Sequence, residues 1–525
     1  MPRCLTAIAA LLAGAVVTAW PLGAQAPRLG TITFPTSGPP EAQAAFLRGV
    51  LYLHSFEYGD AGDAFREAQR LAPGFAMAYW GEAMSYNHPV WNEQNRDAAR
   101  AALARLGPTP EARRAKAPTE REQEYLEALE ILYGDGPKPA RDTAYSAAME
   151  RLAAAHPHDL EAQAFYALSL LGLNQGVRDV PSYMRAAAVA QEVFRANPEH
   201  PGAAHILIHA FDDPTHAPLG LTAAQAYSGI APDAAHAQHM TTHIFLALGM
   251  WDDVVSQNEI ASGHGHRATG PGHYTAWLEY GYLQQGRLAE AKRHLEQARA
   301  GLGSAPTARA YLLAMRAHFL INSERWDDPV REWTIDPAGV GPGPQSIDAF
   351  ALGVAAARRG QPAEAEGWLA QLTERARAPA GQARYSANPQ VPGILERELR
   401  ALLKLQAGAP DEALALLREA AVLEDALPIE FGPPDVVKPS HELLGEVLLG
   451  LGRPAEAQRE FQAALRLAPR RALVLRGLAR AATAAGDRKV AALAYATLRE
   501  VWHRADAGIP GLAEAAQFRE TGGAR

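Results

Sequence analysis

Apolar positions recur along this chain three or four residues apart, almost from end to end. The strict apolar–polar alternation of half-buried strands is nearly absent. The pattern predicts helix after helix, an all-α protein. It is clearest in LLGEVLLGLGRPAEAQREFQAALRLAP, whose marks are Leu444, Gly445, Gly452, Ala457, Phe461, Ala464 and Pro469. The following stretch repeats it with Gly486, Ala491 and Tyr495. Gly452 to Gly486 is 34 residues, and so is Ala457 to Ala491. Small residues suit a close crossing of two helices, the glycine ends the first helix, and the proline stops the second.

A helix–turn–helix unit of this period resembles the tetratricopeptide repeat, TPR. The same marks recur at Gly408, Ala413 and Ala420, at Leu352, Gly353, Gly360 and Ala365, and at Leu278, Tyr282, Gly286, Ala291 and Ala298. Near the start stand Gly49, Ala61, Ala68 and Pro73, and degenerate units end at Pro157, Pro198 and Pro232. The resemblance covers most of residues 41–505 and implies a TPR-like solenoid, a superhelix in two halves. The expected organisation is a signal peptide at 1–26, a linker at 27–40 and an N-terminal solenoid at 41–300. A helix and Gly/Pro linker follow at 301–345, then a C-terminal array at 346–505 and a tail at 506–525.

Breaks in the spacing mark inserts. Gly408 to Gly452 is 44 residues, and the excess includes PIEFGPPDVVKP, too rich in proline to be helical. GPTPEARRAKAP reads as a loop, after which Thr119 and Glu122 form a capping box. Gly339 to Pro344, GVGPGP, reads as the linker between the halves, and the tail after about Ala507 as loosely held.

Ten of the eighteen histidines fall between His200 and His273. His205 and His209 are four apart; His236, His239 and His243 are three and then four apart. On helices each set shares one face. Two adjacent helices so equipped could bring five imidazoles within reach of one ion. The TPR resemblance implies that the second, fifth and ninth residues of each first helix face a concave groove. Counting from Pro201 and Ala235 puts all five histidines on such positions, with His273 on the second position of the next unit. Glu442 and Glu446 take the fifth and ninth of a later one.

A metal site is the leading expectation, with Asp212, Asp213 and His216 as carboxylate ligands or as acceptors for imidazole N–H groups. His264 and His266, in a glycine-flanked loop, could close over it. An all-N/O donor set favours zinc, copper, iron or manganese. Two other readings stay open: histidines that simply pack between helices, and a non-enzymatic scaffold whose groove binds a peptide, protein or small molecule. His54 and His88 are candidates for the groove rim. Glu82, in an apolar helix, needs a partner, an arginine or a catalytic role.

Composition narrows the classes. With 48% hydrophobic and 21% charged residues the chain is globular, and its net charge of −8 becomes −9 once Arg3 leaves with the leader. No long basic run supports nucleic-acid binding. Arg3 followed by LTAIAALLAGAVVTAW reads as a secretory signal cut near Ala24 or Ala26, or else as an uncleaved anchor. Beyond it no apolar run reaches membrane-spanning length. Cys4, the single cysteine, lies inside it, which removes disulfides, thiol nucleophiles and thiolate ligands from the mature chain. HExxH, GxSxG and nucleotide-binding glycine loops are absent, so no nucleotide cofactor is expected. HPGAAHILIHAFDDPTHA, GLTAAQAYSGIAPDAAHAQHM and THIFLALGMWDD resemble a group of exported bacterial TPR proteins. That likeness implies a fold and a periplasmic or extracellular compartment, and no reaction.

Overall fold

The computed structural model describes residues 26–174, 178–263, 270–377, 388–428 and 431–522, the side chains as far as residue 518. The expected signal peptide with Cys4, and the loop histidines His264 and His266, lie outside the described residues. Among the described residues there are twenty-five α-helices, two short 3-10 helices and one antiparallel pair, Asn87 opposite Gln94 and His88 opposite Glu93. None of the described helices is long and apolar enough to cross a membrane.

Consecutive helices pair as hairpins, and each hairpin packs on the next. The best-marked units form Ser440–Gly450 with Pro454–Leu467 and Ala472–Ala485 with Arg488–Val501. Gly249, Gly286, Gly360, Gly408, Gly452 and Gly486, one at the turn of each of six hairpins, adopt left-handed φ values between 68° and 79°. Only glycine takes that conformation cheaply, which is why the repeat marks them. Phe461 shows why the small marks matter: a Cβ on Gly477 would lie 2.4 Å from its ring, and one on Gly445 3.0 Å.

Two long-range closures set the site apart from an open array. First, residues 26–39 are extended rather than a loose linker. Leu29 and Phe34 are buried, Thr31 N–H donates to Glu199 O at 3.0 Å, and Arg28 pairs with Asp233. The first helix, Pro40–His54, thereby ends against the Pro201–Ala210 helix. Second, the last repeats return to the middle ones. Arg471 Nη1 donates to Tyr280 OH at 2.9 Å, Ala472 N–H to Gln284 Oε1 at 3.0 Å, and Trp251 Nε1 to Arg470 O at 3.0 Å. A Cβ on Gly249 would sit 2.3 Å from Pro469 O, so this crossing also requires glycine.

Several local expectations need revision. GPTPEARRAKAP contains a short helix, Pro110–Arg114, capped by Thr109. Thr119 caps the next helix as expected, but Glu122 reaches Ser37 rather than the Thr119 backbone N–H. Gly339–Pro344 is only partly linker, because a helix starts at Pro342, and one buried apolar cluster continues on both sides of it. The tail is helical over Leu512–Gly522 and docked by the Arg480–Glu514 ion pair and Phe518 on Tyr495. PIEFGPPDVVKP is non-helical throughout its described residues, as its prolines require.

Candidate metal centre

The first two histidine-bearing helices begin where the repeat register puts them, at Pro201 and Ala235, and the third begins at His273, one residue later than the register has it. His200 caps the first: Ala203 N–H donates to its Nδ1 at 3.1 Å. His205, His209, His236, His239 and His243 are all buried. They do not converge on one point. The ligating atoms sort into two triads, His205–His209–His236 and His239–His243–His273, each with its three nitrogens within 4.8 Å of one another. The helix ladder carries His236 about two turns away from His243. It therefore meets the Pro201–Ala210 helix, whereas His239 and His243 meet the His273–Gln284 helix.

The second triad has defined tautomers. Asn258 Nδ2 donates to Val254 O at 2.9 Å, so its Oδ1 accepts from His239 Nδ1–H at 2.8 Å. Asp212 Oδ2 accepts from His243 Nδ1–H at 2.5 Å. Each ring thus has its proton on Nδ1, and the two Nε2 atoms face each other 3.1 Å apart. Two lone pairs at that distance repel unless a proton or a cation lies between them. Ligand nitrogens about 2.0–2.1 Å from a tetrahedral zinc stand about 3.3 Å apart, close to what is seen. A buried acceptor on the distal imidazole nitrogen is the usual companion of a metal-ligating histidine. His273 Nδ1 lies 3.4 Å from Tyr311 OH. Burial, reinforced by the neighbouring imidazoles, holds His239 well below the usual histidine range and His273 at about 3. Neutral imidazole is the ligating form.

The first triad is drier. His205 Nδ1–H donates to His54 O at 2.7 Å, and the Nε2 atoms of His205 and His209 have no hydrogen-bond partner. Burial pushes His205 down to about 3 and His209 far below its usual range. Phe56 lies across the triad, 4.1 Å from the His205 ring and 5.6 and 5.8 Å from His209 and His236.

A third cluster, His54–Glu161–His200, is complete without an ion. Because His200 Nδ1 accepts, its Nε2–H donates to Glu161 Oε1 at 3.1 Å, while His54 Nε2–H donates to Oε2 at 2.7 Å. Burial works to raise the Glu161 carboxyl, but the two imidazoles outweigh it and hold it at about 2. Burial also lowers His54. His54 is therefore not at a rim. The ring lies flat on Gly202, where a Cβ would be 2.2 Å from Nδ1.

The remaining sequence candidates separate by their partners. Asp212 orients His243, as above. Asp213 instead pairs with Arg178 at 2.8 Å, holds His216 Nδ1 at 2.7 Å and accepts two backbone N–H groups of its turn, so Asp213 and His216 stand outside both triads. Glu82 bonds Gln69 at 2.6 Å and pairs with Arg105 and Arg66, the arginine partners that its burial calls for. Glu442 is buried between Arg471 at 2.5 Å and Lys438 at 2.8 Å, and Glu446 also pairs with Lys438; both belong to the closure of the late repeats rather than to the histidines. His88 does line an opening. It stacks 3.9 Å from Tyr58 at the edge of a cavity of about 610 Å³ that reaches His236 and His273. Its walls include Trp91, Tyr274, Trp277, Tyr311 and Phe431, with Glu93 and Asp435 and no lysine or arginine among the described residues. Asn258, Glu161, His200 and the Trp277 ring, 4.3 Å from His243, carry no local sequence signal.

Residues 439–471 match the family model described as Tetratricopeptide repeat. No curated protein matches the sequence. Among solved structures, the chain is similar to the APC/C hetero-tetramer Cut9–Hcn1, at 13% identity over 86% of this chain and 78% of that one, with a TM-score of 0.35. It is also similar to the human IFIT1 dimer with PPP-AAAA, at 13% identity over 87% of this chain and 90% of that one, with a TM-score of 0.37. The repeat match and the run of glycine-turned helical hairpins make this chain a TPR-repeat protein with an all-α, TPR-like superhelical fold.

Proposed function

We propose that this protein binds a transition-metal ion through His239, His243 and His273 and presents it to a small molecule in the adjoining cavity. The observation that carries this reading is the pair of facing Nε2 atoms, 3.1 Å apart, with both Nδ1 protons committed to Asn258 and Asp212. Three protein ligands leave an open position, the arrangement that binds a further ligand or activates one. Zinc and copper suit an all-imidazole set best. Among the described residues the cavity walls are largely aromatic, and the charged groups on them are Glu93 and Asp435, which suits an uncharged or cationic molecule better than an anion.

The experiment is elemental analysis of protein purified without a histidine tag. The ion held by this triad should be lost in His243→Ala and retained in His294→Ala, whose imidazole is half-buried and faces Thr275 O at 3.0 Å. Metal absent from the wild type, or held equally by both variants, refutes the reading. The repeat match at 439–471 favours a second reading, a scaffold that binds a peptide or protein partner. Under it no variant carries metal, and each histidine contributes a small independent share of partner affinity.

A further inference from the structure

We propose that His205, His209 and His236 form a second ion site, so that the six imidazoles hold a pair of transition-metal ions, three to each. The pairing rests on the reading of the His239 triad above, but the second site stands on its own geometry. His205 is fully buried, and its Nδ1 proton is committed to the His54 carbonyl at 2.7 Å. Its Nε2 therefore offers a lone pair, and no donor reaches it. His209 is buried as well, with an equally unpartnered Nε2. A buried polar nitrogen is ordinarily satisfied by a partner or a water, so two orphans side by side call for an occupant. The ligating nitrogens of these two and of His236 lie within 4.8 Å of one another. That is wider than a closed coordination shell, and small side-chain rotations would draw them in.

The surroundings are built for this geometry. His236 is tied at its backbone, where its N–H donates to Glu57 Oε1 at 3.0 Å, and its Nδ1 lies 3.2 Å from Tyr274 OH. The Phe56 ring packs across the triad, 4.1 Å from the His205 ring. Phe56 holds a left-handed φ of 54°, a conformation that a bulky side chain adopts only where its surroundings impose it. No arginine or lysine touches the three rings in the ring and hydrogen-bond contacts seen among the described residues.

The two triads share a wall. The His209 and His243 rings are 6.0 Å apart, and His236 and His239 6.2 Å. The cavity reaches one histidine of each triad, His236 and His273. A small molecule there would meet both ions at once, the arrangement by which paired metals polarise a ligand from two sides.

The test counts metal. Full-length, tag-free protein is loaded with zinc, desalted and analysed. Two equivalents are expected in the wild type, one in His209→Gln and one in His273→Gln. One equivalent in the wild type, unchanged in His209→Gln and lost in His273→Gln, overturns the second site and leaves the first standing. No metal in the wild type overturns both. A measurement without variants guards against misfolding: copper(II)-loaded wild type should give a spin-coupled electron paramagnetic resonance signal that integrates to fewer spins than copper atoms. A magnetically isolated, fully integrating signal overturns the pair.

Discussion

Asp212→Asn separates an imidazole poised for metal from one that merely packs. The carboxylate is buried and accepts from His243 Nδ1–H at 2.5 Å, which fixes the ring and leaves Nε2 free to ligate. An amide of the same shape can present its N–H₂ instead and stabilise the wrong tautomer. Losing such a carboxylate partner typically weakens metal binding about 10–100-fold, or about 1.4–2.8 kcal/mol. With metal at a hundredfold excess over the wild-type Kd, binding stabilises the fold by about 2.7 kcal/mol. The weakened variant under the same conditions retains only about 0.4–1.4 kcal/mol. The metal-induced rise in Tm should therefore fall by about half or more. The assay is a pair of melting curves, with chelator and with zinc, alongside a competition titration. Asp213→Asn is the matched control: it breaks the pair with Arg178 and the bond to His216, so it should lower the chelator-treated Tm while leaving metal affinity alone. Equal metal affinity in Asp212→Asn and wild type, or equal losses in the two variants, would refute the reasoning.

Two further predictions concern groups that hold the site in place. Glu161 has a folded pKa of about 2 against an ordinary value of 4.5, so its stabilising share is complete above about pH 4.5 and disappears as pH falls toward 2. Glu161→Gln should be less stable at pH 7 and should lack that portion of acid sensitivity in urea unfolding from pH 6 to 2; curves parallel to the wild type would contradict the assignment. Arg471→Met leaves buried Glu442 with Lys438 alone and removes the bond to Tyr280. It should cost about 3–5 kcal/mol in denaturant unfolding and speed proteolysis within residues 428–439; a loss under about 1 kcal/mol would show that this closure contributes little.

Much of the fold was readable along the chain, because what made it readable is local. A glycine with positive φ is required at a tight turn whatever surrounds it, and the period of 34 residues follows from one such turn per hairpin. The helix starts at Pro201 and Ala235 follow from the same register, and the start at His273 lies within one residue of it; the sharing of a face by residues four apart is equally local. What local rules cannot give is which faces meet. The crossing of three helices divided the expected single cluster into two triads and brought His273 into one of them. Extended residues 26–39 carried His54 inward onto Gly202, Glu161 and His200, where spacing had suggested a rim. Asn258 and Asp212 became the acceptors that set two tautomers, though they lie 19 and 31 residues from the histidines they hold. Side-chain type and spacing determine the ligands a helix can offer. Which lone pairs face each other, and which find no donor, is decided only when distant segments exclude water from the same space.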